Sequence, residues 1–457
     1  MMSRSAWLLA VALLGPSSLV GAAAEPRPNI VLIVSDDQGY GDASCYGSKD
    51  LRMPHLDGLA AGGLRFTQFR VNPLCAPTRA ALLSGLYSIQ TGMWRGPSGP
   101  NRRANAAPRR LQEGLRLLPQ SLKDAGYATG MFGKWHLGFE PPDVPNSRGF
   151  DRFVGFLDGA HPYEAARGEP IQRDGKPIGD ARHTTDLFTD EAIAFLEAHR
   201  GEPFFCYVPY NAVHGPLWRP ERQKPSAKAE YLERCARRGI DFPRRDYCAT
   251  LEHLDDGVGR ILATLRRLGL EERTLVIYVS DNGAQQQQFP GDNGPLRGQK
   301  GMVYEGGIRV PAVIRWPGVI PPGVISDAPA MASDVFATCL DAAGVDVPRA
   351  NGRHPVHGVS LLGHLRSGGK ASLPDRYLFW DLWGKLAAYH DGWKLVGQID
   401  NHRGRFAAAV SQIEAAQFEL YYLPEDIGER HDLAKEKPAV SAEMKRRLIA
   451  WFKASTQ

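Results

Sequence analysis

Two segments of the chain are apolar at one position after another and then turn abruptly acidic. Asn29-Ile30-Val31-Leu32-Ile33-Val34 runs into Ser35-Asp36-Asp37, and Leu275-Val276-Ile277-Tyr278-Val279-Ser280 runs into Asp281-Asn282-Gly283. An unbroken apolar run, unlike strict alternation, marks a strand buried on both faces, as in a parallel sheet covered by helices. Further helix-then-strand units lie between the two. An amphipathic helix over 118–125 stops at Gly126 before a strand over 128–133, and a helix over 189–196 passes through Pro203 into a strand over 204–208. This patterning predicts an α/β fold with a large, mostly parallel sheet flanked by helices.

From about residue 374 the pattern changes. Residues 377–380, 387–389, 393–396 and 418–423 are short strand-like runs, His390-Asp391-Gly392 is a hairpin signal, and 439–452 reads as a closing helix. The expected organisation is a main domain over 25–373 and a small C-terminal antiparallel-sheet subdomain over 374–457. Residues 1–24 carry Arg4, an apolar run from Leu8 to Leu14, Gly15-Pro16 and Ala22-Ala23-Ala24, the order of a cleaved secretory signal peptide. A membrane anchor needs roughly 20 apolar residues, more than this run supplies. The expectation is an exported protein, periplasmic or secreted, without a membrane anchor. Its remaining 433 residues would carry a formal charge of +4, one less than the full chain's +5 because Arg4 is lost. That modest balance admits anionic substrates, and with no recognised motif for it, nucleic acid is not an expected partner.

The acidic strand ends are the first candidate chemistry. Ligands of open α/β sheets bind at the carboxyl ends of strands. One acidic pair would equally well cap the next helix. Two strand ends with the same punctuation can offer four oxygen ligands, Asp36, Asp37, Asp281 and Asn282, and such a set suits calcium, or magnesium as the alternative, better than zinc. The second candidate is 72–85, Asn-Pro-Leu-Cys-Ala-Pro-Thr-Arg-Ala-Ala-Leu-Leu-Ser-Gly. Pro77 belongs in a first helical turn and Gly85 at a helix end, which puts Cys75 at a helix N-terminus, where backbone donors and the dipole favour an anion. Arg79 falls four residues on, along the same face. The plainer reading is a buried free cysteine beside a capping arginine. Lys134 and His136, two apart after the 128–133 strand, would share one side of extended backbone. His214 sits on a Gly/Pro loop beyond the 204–208 strand, a better place for chemistry than for packing.

Cys75-Ala76-Pro77-Thr78-Arg79 followed by Leu83-Ser84-Gly85 resembles the signature of the formylglycine-dependent sulfatase family, which has the alkaline-phosphatase-like fold. Gly133-Lys134-Trp135-His136-Leu137-Gly138, the 293–301 loop with Lys300, and Tyr304-Glu305-Gly306-Gly307-Ile308-Arg309-Val310-Pro311 are similar to the family's patterns, and the likeness spans roughly residues 28–433. Thr78 departs from it, since Ser is more usual there. The resemblance implies a catalytic domain over 25–373 that hydrolyses sulfate esters, with Cys75 converted to formylglycine by a maturation enzyme. Calcium would be held by Asp36, Asp37, Asp281, Asn282 and the residue made from Cys75. Lys134 and Lys300 would hold the sulfuryl group, with Arg79 favouring the nucleophilic alkoxide. His214 would act as general acid and His136 as the base that collapses the intermediate. The substrate would be a sulfated small molecule or glycan, with a terminal sulfate on a sugar as the first expectation. A phosphomonoesterase or phosphonate hydrolase of the same superfamily is the alternative, and a non-catalytic sulfated-glycan binder is a third reading.

The remaining cysteines, 45, 206, 235, 248 and 339, form no C-x-x-C pair and argue against zinc. In an exported chain they allow at most two disulfides, with Cys235–Cys248 as the expected pair and Cys206 as core. The 101–116 loop, with five arginines, and Gln285 to Gln288 read as solvated loops or as substrate contacts.

Overall fold

The computed structural model describes residues 27–97, 109–217, 224–400, 402 and 406–456. The expected leader over 1–24 and half of the arginine-rich loop lie outside the described residues. Among the described residues one sheet has ten strands, in the spatial order Val324–Ser326, Leu64–Phe66, Ala312–Arg315, Thr274–Ser280, Asn29–Ser35, Phe204–Pro209, Ala128–Lys134, Arg152–Phe156, Gln172–Arg173 and Lys176–Pro177. The stretch from Thr274–Ser280 to Arg152–Phe156 is parallel throughout. Antiparallel pairing is confined to the flanks, where Ala312–Arg315 opposes both neighbours and the shortest strands form a ribbon.

The central strands explain their own composition. In Asn29–Ser35, Ile30, Leu32 and Val34 enter one core cluster while Val31 and Ile33 enter another, so neither face has a polar job. Helices Cys75–Ser84 and Ala332–Ala342 cover the first face; Thr184–Ala198 and Arg244–Arg267 cover the second. Each aliphatic side chain so buried contributes about 1.5–3 kcal/mol relative to exposure. Register then sets up the chemistry. Ser35 pairs with Ser280 and Val34 with Pro209, so three strands end level. Asp36 and Asp281 leave the sheet side by side.

The C-terminal sheet runs Leu378–Leu382, Lys385–His390, Trp393–Gln398, Phe418–Tyr422, all antiparallel. Its central hairpin turns at Asp391 and Gly392, with φ of 44° and 79°, the two left-handed residues that a type I′ turn requires. Helix Pro438–Thr456 packs Leu448 and Phe452 into the cluster that holds Leu395 and Leu420. A buried charge cluster joins this sheet to helix Glu305–Ile308 and strand Phe69–Arg70. Lys394 Nζ lies 2.8 Å from Glu305 and 3.0 Å from Glu429, while Arg70 holds Glu305 from the other side at 2.8 Å.

The Cys235–Cys248 bridge expected from the sequence is not formed. Both are buried free thiols in the second core cluster, on helices Ala229–Arg237 and Arg244–Arg267, and serve as small apolar fillers, as does Cys206.

Helix Pro54–Ala61 is docked on Arg244–Arg267 by Asp255, whose carboxylate accepts the N–H groups of His55 at 3.0 Å and Leu56 at 2.8 Å. Burial pushes Asp255 up to about 7, against those donors, from an ordinary 3.8. The folded state therefore binds this proton more tightly than the unfolded chain does. The stability it confers is full below about 4 and lost as pH rises through about 7. Asp255→Asn, which cannot titrate, is expected to gain stability relative to the parent over that window. Denaturant unfolding at both ends of the window checks this, and a pH-independent difference contradicts it.

Candidate active site

At the level ends of the three central strands the backbone is pinned before any side chain acts. Asp36 N–H donates to Ala212 O at 2.8 Å, and Asp281 N–H donates to Ser35 O at 3.0 Å. Asp37 has φ 62°, and its N–H reaches the Asp281 carboxylate at 3.2 Å. Helix Cys75–Ser84 begins at Cys75 with extended Leu74 before it and left-handed Gly85 after it, as Pro77 and Gly85 predict. Thr78, the departure from the usual Ser, closes the approach to this helix. Its hydroxyl accepts Asn72 N–H at 2.9 Å and donates to Asn72 O at 3.1 Å, bonds that a serine hydroxyl also makes.

The charged side chains then interlock with almost no exposed surface. Arg79 donates twice to Asp281, at 2.8 and 3.0 Å, and once to the carbonyl of Lys134 at 2.9 Å. Lys134 Nζ lies 2.6 Å from Asp36, and Lys300 Nζ lies 2.6 Å from Asp37. Asn282 donates its amide N–H to Asp37 at 2.7 Å. Asp36, Asp37, Cys75 and His214 bring ligand atoms within 4.8 Å of one another.

Electrostatics sort the two neighbouring aspartates. Burial, with the Asp281 charge beside it, pushes Asp36 up to about 7. Burial also works against ionising Asp37, but Lys300 and His214 outweigh it and hold that carboxyl below the usual range. Burial raises the unmodified Cys75 thiol to about 11, so Lys134 and Lys300 do not make it a thiolate near neutrality. His214 is pushed down to about 4 by burial and Lys300, and His136 falls well below its usual value by burial and Lys134. Both imidazoles are therefore neutral at rest. His214 Nδ1 lies 2.7 Å from the carbonyl of Gly215 and donates to it, which leaves Nε2, 3.8 Å from Asp37, as the free lone pair.

Two buried oxygens are left over. Asp36 Oδ1 and Asn282 Oδ1 have no hydrogen-bond partner among the described residues. Unmet buried acceptors are costly, and a pair of them beside Asp37 and Asp281 fits a hard cation.

Each residue expected from the sequence lies at the carboxyl edge of the sheet or on a loop leading from it, but the route to His136 differs. Its φ is 59°, so alternation along an extended strand does not aim it. It is seated against Gly159, where an added Cβ would lie 2.7 Å from its ring. Lys134 does end a strand, and it depends on Gly133, whose φ is 139° and whose Cβ would fall 2.0 Å from the Pro209 carbonyl. The sequence reading missed the scaffold around Asp42, which is buried and accepts from Arg244 at 2.8 Å, Tyr247 at 2.6 Å and Asp292 N–H at 2.8 Å. Its one sequence signal is a third acidic residue five positions after Asp37. In the arginine-rich loop, Arg110 pairs with Asp143 and Arg116 with Asp124, which are structural ion pairs. Gln287 N–H donates to Gln299 at 2.8 Å, and the side chains of Gln286 to Gln288 face solvent.

Oxygen donors that fit a hard cation, sharing a pocket with buried ammonium and guanidinium groups, suit a compact oxyanion, and the sheet that carries them is that of the alkaline-phosphatase-like class of ester hydrolases. Residues 28–345 match the family model described as Sulfatase. The chain belongs to the sulfatase family and is a sulfuric ester hydrolase, in a family that generally uses a metal ion and formylglycine. Residues 298–454 also match the model described as N-sulphoglucosamine sulphohydrolase, C-terminal. Among similar proteins, N-acetylgalactosamine-6-sulfatase of Mus musculus is 34% identical over 82% of this chain and 72% of its own length. A sulfatase of Formosa agariphila is 30% identical over 94% of this chain and 89% of its own. A crystal structure of Ps i-CgsB in complex with k-i-k-neocarrahexaose is 28% identical, with a TM-score of 0.82 over 94% of each chain.

Proposed function

We propose that the protein releases inorganic sulfate from a sulfated carbohydrate, through formylglycine at residue 75 and one bound calcium ion. The observation that carries this reading is the buried cluster in which Asp36, Asp37, Cys75 and His214 converge while Asp36 Oδ1 and Asn282 Oδ1 stay unpartnered. Asp36, Asp37, Asp281, Asn282 and the residue made from Cys75 would hold the cation, which supplies a Lewis acid for the sulfuryl oxygens. Hydration of the residue 75 aldehyde supplies two hydroxyls, one to attack sulfur and one whose deprotonation expels sulfate. Cys75 Sγ stands where those oxygens would be.

The chain's own groups take the other roles. Lys134 and Lys300 hold the sulfuryl oxygens, exchanging part of their contact with Asp36 and Asp37 for the substrate. Arg79, fixed by Asp281, favours the alkoxide at residue 75. His214 Nε2, facing the pocket, takes up a proton from solvent when the anionic substrate binds and raises its basicity, and donates that proton to the leaving oxygen as the ester bond breaks. His136 accepts the proton of the second hydroxyl, for which its neutral state and the unpartnered, buried Nδ1 leave it ready. The carbohydrate substrate is supported by the relatives named for N-acetylgalactosamine 6-sulfate and by the neocarrahexaose complex. The reading includes a catalytic domain over 25–373, a C-terminal subdomain over 374–457, a maturation enzyme acting on Cys75, and export to the periplasm or medium. No helix among the described residues is long and apolar enough to cross a membrane.

Sulfate release from defined sulfated mono- and oligosaccharides, beside aryl sulfates and phosphate esters, tests the substrate. Turnover of aryl sulfates alone would remove the carbohydrate, and faster phosphate than sulfate release would favour the phosphatase alternative. For the metal, chelation is expected to abolish activity. Calcium at a hundredfold excess over its Kd is expected to restore it while adding about 2.7 kcal/mol of stability. A melting temperature indifferent to calcium contradicts this.

A further inference from the structure

Outside the catalytic pocket, four arginines converge on one cleft of about 320 Å³: Arg52, Arg234, Arg237 and Arg238, facing Glu252 and Asp256. Helix Ala229–Arg237 supplies the central pair, and the two carboxylates project from helix Arg244–Arg267. Both carboxylates are already engaged. Glu252 is ion-paired with Arg238 and accepts Arg52 N–H at 3.1 Å, and Asp256 accepts from Arg234 at 3.0 Å and Tyr231 Oη at 2.9 Å. Four guanidinium groups line the cleft against two carboxylates, with Glu233 beside Arg237 as a third acid at the rim, so the cleft stays net positive and two of the four lack a close acid partner. These are Arg52, whose Nη1 among the described residues donates to the carbonyls of Lys49 at 3.1 Å and Leu51 at 3.0 Å, and Arg237, loosely placed 3.9 Å from Glu233. The Arg237 side chain is 69% exposed, so its charge faces solvent.

The cleft is distinct from the catalytic centre. Tyr247 Oη, whose proton goes to Asp42, lies 3.2 Å from the carbonyl of Asp37. Glu252 and Asp256 lie five and nine residues further along the same helix, roughly 8 and 14 Å at its rise per residue. Planar guanidinium forks match the paired oxygens of sulfate and carboxylate groups, and the carbonyl-anchored Arg52 loses little freedom on binding.

We propose that this cleft is a second, non-catalytic binding site that holds an anionic group of a sulfated polysaccharide between Arg52 and Arg237. The proposal rests on the reading that the substrate is carbohydrate, and it adds a contact that small aryl sulfates do not use. The test is affinity electrophoresis of the full chain through gels containing dextran sulfate, neutral dextran or duplex DNA. The parent and an Arg52→Gln/Arg237→Gln variant are compared, both carrying Cys75→Ala so that no sulfate is released during the run. The expected result is a roughly tenfold weaker retention of the double variant by dextran sulfate, the order expected when two solvent-facing charge contacts are lost, with no retention by neutral dextran. In the Cys75 background, aryl sulfate turnover of the double variant is expected to equal that of the parent. Unchanged retention by dextran sulfate overturns the proposal. So does an equal loss on duplex DNA, which would make the cleft a general polyanion patch, or a parallel fall in aryl sulfate turnover. If the enzyme desulfates no sugar, the carbohydrate reading fails in its own assay while the retention difference is read separately.

Discussion

Replacing Cys75 with alanine is expected to lower sulfate release by roughly 10³-fold to 10⁶-fold, the range over which enzymes lose turnover when a covalent nucleophile is removed. No neighbour can take its place. The groups around residue 75 are cations, carboxylates committed to those cations, and two imidazoles held neutral by burial. The fold should hardly notice. Residue 75 opens helix Cys75–Ser84, where alanine is at least as good a helix former, and the side chain lost is small, so about 1 kcal/mol or less of stability is at stake. Initial rates on an aryl sulfate, together with a melting curve, check both halves. A variant that keeps more than a tenth of parental turnover contradicts the assignment of the nucleophile.

Asp281→Ala is expected to cost both activity and stability. From the sequence, a ligand at a sheet edge reads as separable from the core. In the structure Asp281 has no exposed surface, and it is the close acid partner of Arg79, whose next carboxylate, Asp36, is 3.9 Å away. Its carboxylate also receives Asp37 N–H. Removing one member of a buried pair leaves an uncompensated charge and costs about 3–5 kcal/mol, a large share of the 5–15 kcal/mol that holds a typical domain. Asp281→Asn keeps a hydrogen-bond acceptor for Arg79 and should be milder in stability while remaining inactive, because the charge that would face the proposed cation is gone. Denaturant unfolding of the two variants separates these effects. Equal stability of the parent and Asp281→Ala would show that Arg79 finds another partner.

What could be read from the sequence follows from range. The central strands were legible because burial on both faces writes itself into consecutive apolar residues, and the helix at Cys75 because Pro77 and Gly85 are local signals. Lys300 was placed by a family motif, Lys134 by its strand-end spacing and a motif, and His214 by its loop beyond a strand end; the structure puts Lys134 and Lys300 on the strand-end aspartates. The spacing argument that put His136 beside Lys134 on extended backbone does not hold, since a left-handed residue cannot be seen in an alternation argument. The Asp42 anchor and the Lys394–Glu305–Arg70 cluster were invisible for a different reason. Each joins residues more than 80 positions apart, and nothing local distinguishes a buried ion pair from a solvated charge. The Cys235–Cys248 expectation failed because cysteines on neighbouring helices were read as a staple when burial alone accounts for both.

The proposed chemistry requires that residue 75 carry an aldehyde in the working enzyme. Peptide mass spectrometry of the fragment that follows Arg70, on protein made with and without a maturation enzyme, tests it most directly when specific activity is measured on the same samples. Formylglycine is expected at residue 75 in the active sample, with activity in proportion to the converted fraction. Full activity in protein whose Cys75 is wholly unmodified thiol would contradict it.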